Sequence, residues 1–164
     1  MFVEPRMVDV KSLLEYNESV RHRYFESLAG LSWKEFIKNR EASFNSFRNI
    51  FIHTLEAIDY WLDFLKKENS HLPFGVYDEY KAFEEVESYM QHVEKRMHEY
   101  LGSLSNEGLR KTYMVTGEKH KATRITAEDI LVHVFEEEVH HRGELIALLW
   151  QMGIDPPPMG WKGL

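Results

Sequence analysis

The stretch Phe47-Arg48-Asn49-Ile50-Phe51-Ile52-His53-Thr54-Leu55-Glu56-Ala57-Ile58-Asp59-Tyr60-Trp61-Leu62-Asp63-Phe64-Leu65 decides how this chain folds. Phe47, Ile50, Phe51, Leu55, Ile58, Trp61, Leu62 and Leu65, joined by Thr54, recur at the three- and four-residue intervals that line one face of an α-helix. No Gly or Pro interrupts the pattern, so a helix is expected from about Ala42 to Lys66. Three more segments carry the same period. Val10, Leu13, Leu14, Val20, Tyr24, Phe25 and Leu28 mark a helix that Ala29-Gly30 closes. From Tyr80 to Leu101 a more polar helix turns Phe83, Val86, Met90, Val93, Met97 and Leu101 inward. Thr126-Ala127-Glu128-Asp129 offers a capped, acidic start to a last long helix ending near Met152-Gly153. Asp155-Pro156-Pro157-Pro158 then forbids any continuation.

The connections read differently. Ser32 is an N-cap for a short helix over Trp33 to Ile37. Asn69 to Asp78, with Pro73 and Gly75, is a loop. Tyr113-Met114-Val115 and Ala122-Thr123-Arg124-Ile125 flank Thr116-Gly117-Glu118-Lys119, the pattern of a small hairpin. Four long amphipathic helices without internal repeats define an all-α four-helix bundle, with an irregular or small hairpin insert before the last helix. A chain of 164 residues has room for one core and is short for two, so a single domain spanning 1–164 is expected.

Composition narrows the function. A net charge of −7 repels phosphates, which argues against a nucleic-acid partner. Apolar residues nowhere run for the ~20 positions of a membrane span, and Met1 to Arg6 lacks a signal peptide's apolar core. A cytoplasmic protein with a small-molecule substrate is the expectation. Cysteine is absent, so a bound metal must take nitrogen and oxygen ligands.

The last long helix supplies such ligands. His133, Glu137 and His141 follow at steps of four and share a face. Eight residues of helix rise about 12 Å, so His133 and His141 cannot both reach one ion whose bonds are ~2.1 Å long. A mononuclear site therefore takes either His133 with Glu137 or Glu137 with His141. A third ligand must come from a neighbouring helix. His53 lies on the shoulder of its apolar stripe, where an antiparallel partner would set it opposite Glu137 and His141. Against this stands the ordinary reading of each residue: a hydrogen-bonded core histidine at His53 and a solvated face at Glu136-Glu137-Glu138. Neighbouring His140 and His141 cannot both point inward. His22, His71, His92, His98 and His120 read as solvent-facing or loop-borne. Arg142 is expected to pair with an acidic residue. Gly143, which costs up to about 1 kcal/mol in a helix against Ala, is expected at a close helix–helix approach.

The segment Ile130-Leu131-Val132-His133 through His140-His141-Arg142-Gly143-Glu144-Leu145 resembles the last-helix motif of the DinB-like (YfiT-like) metalloenzyme family. This is the damage-inducible family of Bacillus and its relatives, not the DNA polymerase sharing the name. The stretch Asn49 to Leu62, with His53 and Trp61, is similar to that family's other motif, a His followed by an acidic residue and a Trp, and Leu149 to Pro157 resembles its closing run. The resemblance covers nearly the whole chain. It implies a metal triad, usually three histidines, whose first and last members map to His53 and His141. Glu137 stands at the middle position, a departure that still suits Zn, Ni, Mn or Fe. Three protein ligands with an open position imply Lewis-acid chemistry on a thiol or a water. In this wider superfamily such sites join bacillithiol, mycothiol or glutathione to an electrophile. The resemblance thus implies a low-molecular-weight-thiol S-transferase with a thiol cosubstrate. The alternatives are a metal-dependent hydrolase, with Glu56, Glu136 or Glu138 as base, and a non-catalytic metal-binding stress protein. It also implies a homodimer, for which Trp33, Trp150 and Trp161 would suit the interface.

Overall fold

Ser46 accepts a hydrogen bond from the Asn49 backbone N–H at 3.2 Å, and Asn45 before it takes a left-handed backbone with φ 71°. Together they start the decisive helix at Phe47, later than the apolar pattern implied, because a left-handed residue cannot continue inward from Ala42. The computed structural model describes residues 8–67, 73–116 and 121–161. His71, His120 and the Gly117-Glu118-Lys119 turn of the hairpin lie outside them. The elements are α1 (Val10–Ala29), α2 (Trp33–Ile37), α3 (Phe47–Lys66), a 3₁₀ turn (Tyr77–Glu79), α4 (Phe83–Ser103), α5 (Asn106–Arg110), β1 (Thr112–Thr116), β2 (Ala122–Thr126) and α6 (Ala127–Gln151). The hairpin expected before the last helix is present as an antiparallel pair, Tyr113 opposite Ile125. Helix α5, short and apolar only at Leu109, had no readable period.

The four long helices form a bundle. Lys11 Nζ on α1 donates to the Leu101 and Leu104 carbonyls at 3.0 and 2.9 Å, while Arg21 meets Glu94, so α1 and α4 run antiparallel. On the other side His53 faces His141 and Trp61 faces His133, which makes α3 and α6 antiparallel too. Between them lies the expected core: Phe47, Ile50, Phe51, Leu55, Ile58, Leu62 and Leu65 of α3 are buried with Val86, Met90, Val93 and Met97 of α4. Trp33 packs edge-on against Phe83 at 5.1 Å and Trp161 against Tyr16 at 5.2 Å. Of the three tryptophans expected at an interface, only Trp150 faces outward, 64% exposed. Among the described residues, no helix is long and apolar enough to cross a membrane.

The phase of α6 is set at its first turn. Thr126 Oγ1 accepts from the Asp129 N–H at 3.0 Å and Asp129 Oδ2 accepts from the Thr126 N–H at 2.7 Å, a reciprocal capping box that satisfies two otherwise orphaned donors. Further along, two expectations are corrected. Gly143 is exposed, and a Cβ built there meets nothing within 4 Å, so it marks no close approach among the described residues. Gly143→Ala should therefore stabilise by about 0.5–1 kcal/mol through helix propensity alone, read by denaturant unfolding. A loss of stability would instead reveal a contact on this face from outside the chain. Arg142 does not take the expected carboxylate partner among the described residues: it donates to Asn17 Oδ1 at 3.3 Å and lies over the Tyr16 ring at 5.4 Å. Arg21 makes a buried ion pair instead: its Nε and Nη2 reach Glu138 Oε1 and Oε2 at 2.7 and 3.0 Å.

Candidate metal centre

Because α3 and α6 run antiparallel, the i, i+4 pair Glu137 and His141 faces the middle of α3, where His53 projects. Each of His53, Glu137 and His141 offers one ligand atom within 4.8 Å of the other two. His141 Nε2 and Glu137 Oε2 are 3.5 Å apart, close to the roughly 3.4 Å edge of a tetrahedron with ~2.1 Å bonds. Two imidazole nitrogens and one carboxylate oxygen are a donor set that suits a divalent first-row ion. Of the two pairings open on α6, the structure brings Glu137 together with His141. His133 stays at the rim, its side chain 44% exposed and its Nδ1 3.7 Å from Glu136 Oε2. The adjacent His140 is exposed, as the impossibility of two inward rings required.

Support for these ligands comes from residues that no periodicity flags. Glu144 Oε1 lies 2.7 Å from His141 Nδ1, and Ser43 Oγ donates to Glu144 Oε2 at 2.6 Å. A carboxylate on Nδ1 fixes that nitrogen as the N–H and leaves Nε2 as the free lone pair, aimed at Glu137. The acidic residue three places after His141 was the available signal. Phe44 stacks on His53 with centroids 3.9 Å apart and planes 18° apart. Both Ser43 and Phe44 belong to the turn between the left-handed Glu41 and Asn45, so that irregular segment buttresses both histidines at once.

The electrostatics favour a neutral His53 and a charged Glu144. Burial pushes His53 below the usual histidine range, His141 adds to the effect, and Glu137 and Glu144 oppose it. Burial works against charge on Glu144, but the hydrogen bonds from Ser43 and His141 outweigh it and hold the carboxyl below its ordinary value. Glu144→Gln should loosen metal binding by about 10–100-fold without removing a ligand. Competition with a chelator measures this, and unchanged affinity would show that Glu144 does not orient His141.

His53 and Glu137 open onto a cleft of about 410 Å³ lined also by Glu56, Tyr60, Trp61, Phe74, Tyr77 and His133. Among the three carboxylates weighed as a base, only Glu56 lines it. Glu138 is held by Arg21, and Glu136 is 75% exposed beside His133. Glu56 accepts the Gly75 N–H at 2.9 Å. Burial raises its pKa, opposed by the bonds from Gly75 and the Tyr77 hydroxyl. Tyr77 in turn is pushed up to about 12 by burial and by Glu56.

A helical bundle whose antiparallel α3 and α6 bring two imidazoles and a carboxylate to the wall of an aromatic cleft is the class of protein this geometry defines. The DinB family model matches residues 6–162, and the chain belongs to the DinB family. A crystal structure of a DinB-like protein from Bacillus subtilis, YjoA, has the same fold. Its TM-score is 0.60 at 19% sequence identity, over 89% of this chain and 94% of that one. No curated protein matches the chain.

Proposed function

We propose that His53, Glu137 and His141 hold a divalent ion (Zn, Ni, Mn or Fe) and that the protein is a metal-dependent enzyme joining a low-molecular-weight thiol of the bacillithiol type to an electrophile. The observation that supports this reading most is the convergence of the three donor atoms within 4.8 Å beside a cleft that also holds the buried carboxylate of Glu56. When bound, the ion supplies Lewis acidity that makes a weak acid such as a thiol ionise near neutral pH. The chain supplies the rest. Glu144 and Phe44 hold the two imidazoles in place. Tyr60, Trp61 and Phe74 present ring faces and edges to an apolar or flat electrophile. Glu56, made a stronger base by burial and positioned by Gly75 and Tyr77, accepts the thiol proton as the C–S bond forms and the electrophile's leaving group departs.

Ion-loaded protein incubated with bacillithiol and monochlorobimane tests the reading. Here sulfur displaces chloride, the thiol proton passes to Glu56, and fluorescence rises. The expected result is turnover that His53→Ala abolishes and Glu56→Gln lowers by about 10²–10⁴-fold. No thiol consumption together with cleavage of activated esters would favour the hydrolase, in which water replaces the thiol over the same cleft. Neither reaction from a protein that nonetheless binds its ion would favour a non-catalytic metal-binding role. For the homodimer, the outward stripe of α6 that carries Val132, Val139 and Trp150, 43%, 39% and 64% exposed, is the face we propose. A monomeric mass by light scattering would remove it.

A further inference from the structure

A second set of ligands lies on the opposite side of the bundle. On α1, Glu18 and His22 are one helical turn apart; on α4, Glu94 and His98 are likewise one turn apart. The antiparallel packing of the two helices sets each histidine against the other helix's carboxylate. His22 Nε2 is 3.0 Å from Glu94 Oε2, and His98 Nε2 is 2.6 Å from Glu18 Oε2. Glu18, His22 and Glu94 each offer a ligand atom within 4.8 Å of the other two.

We propose that Glu18, His22 and Glu94 form a second divalent-cation site that clips α1 to α4, with His98 orienting Glu18. Its firmest part is Glu94, 7% exposed, which divides its two oxygens. Oε1 accepts from Arg21 Nη1 at 2.8 Å, and Oε2 is left to face His22. Arg21 is itself gripped by both oxygens of Glu138, so the guanidinium does not neutralise the group. Three carboxylates, Glu18, Glu94 and Glu138, stand against one cation, with imidazoles that add no charge when neutral. A divalent ion compensates the two remaining negative charges. His22 and His98 side chains are 47% and 59% exposed, which gives an ion an entry path and lets water complete its coordination. Two carboxylate oxygens and one imidazole suit Zn, Mn or Fe rather than a thiolate-seeking ion. With His98 holding Glu18 as Glu144 holds His141, the site has a supporting partner of its own.

A simple pair of histidine–carboxylate hydrogen bonds is the competing account, and zinc titration separates the two. In the His141→Ala protein, whose cleft site is disabled, one zinc equivalent should remain. Adding His22→Ala or Glu18→Gln should abolish it, and His98→Ala should weaken it by about 10–100-fold. In the otherwise unchanged protein, His22→Ala alone should lower the bound zinc by one equivalent, which keeps the test independent of the cleft variant's folding. Cobalt in place of zinc should give a d–d absorption band that His22→Ala removes. Zinc binding that is indifferent to His22→Ala and to Glu18→Gln overturns the proposal. So does a His141→Ala protein that is folded by circular dichroism and binds no ion. Failure of the cleft to bind metal would leave the His22-dependent equivalent in place, so the two sites stand or fall separately.

Discussion

His53→Ala, Glu137→Ala and His141→Ala should each remove the ion proposed for the cleft, costing one equivalent in elemental analysis of purified, untagged protein. The reason is geometric. Three donor atoms converge there among the described residues, each a third of the protein's share of the coordination, so loss of any one leaves two ligands that a weakly bound ion shares with solvent. The effect should exceed the roughly 10–100-fold loss expected for Glu144, which only orients a ligand. His133→Ala is the matched control: one turn away on the same helix, at the cleft rim, it should keep the ion. Because burial holds His53 below the ordinary histidine range, its imidazole stays neutral as the pH drops toward 6.5. Uptake of the ion should therefore persist to a lower pH than a free histidine would allow. Retention in His53→Ala of as many equivalents as the parent protein holds would mean that α6 alone carries the site.

The sequence displayed this site unevenly, for physical reasons. The bundle was legible because a 3.6-residue period repeats over long stretches, and Phe47 to Leu65 shows it without a break. Glu137 and His141 were legible as a pair because four residues make one turn, but the pattern left His133 equally available. Only the antiparallel register of α3 on α6, a product of whole-core packing, places His53 level with His141 and leaves His133 beside Trp61. Ser43 and Phe44 were invisible because their positions depend on left-handed Glu41 and Asn45, which no hydrophobic period encodes. Gly143 misled for a related reason. A helix glycine reports a possible close approach but not which neighbour makes it, and here a Cβ at Gly143 meets none among the described residues.

The other large effect belongs to Arg21. Arg21→Met should destabilise the fold by about 3–5 kcal/mol, the cost of leaving buried carboxylates without their cation. Against a typical total of about 5–15 kcal/mol, that is enough to lower the Tm by roughly 10 °C in a chain of this size. Arg21 and Glu138 are 8% and 4% exposed. Burial works against charge on Arg21, yet Glu138 and then Glu94 outweigh it and raise its pKa. Take the arginine away and Glu138 loses the donors on both of its oxygens, while Glu94 keeps only His22. Adding Glu138→Leu to Arg21→Met should recover most of the loss, because a buried pair replaced by apolar groups of similar size is nearly neutral where half a pair is not. If the double variant stays as unstable as the single one, the packing of the Arg21 stem, not its charge, is what the fold requires. The comparison bears on function through one peptide bond. Glu138 follows Glu137, so the cation that anchors Glu138 to α1 also fixes the rotation of α6 that turns Glu137 toward His53.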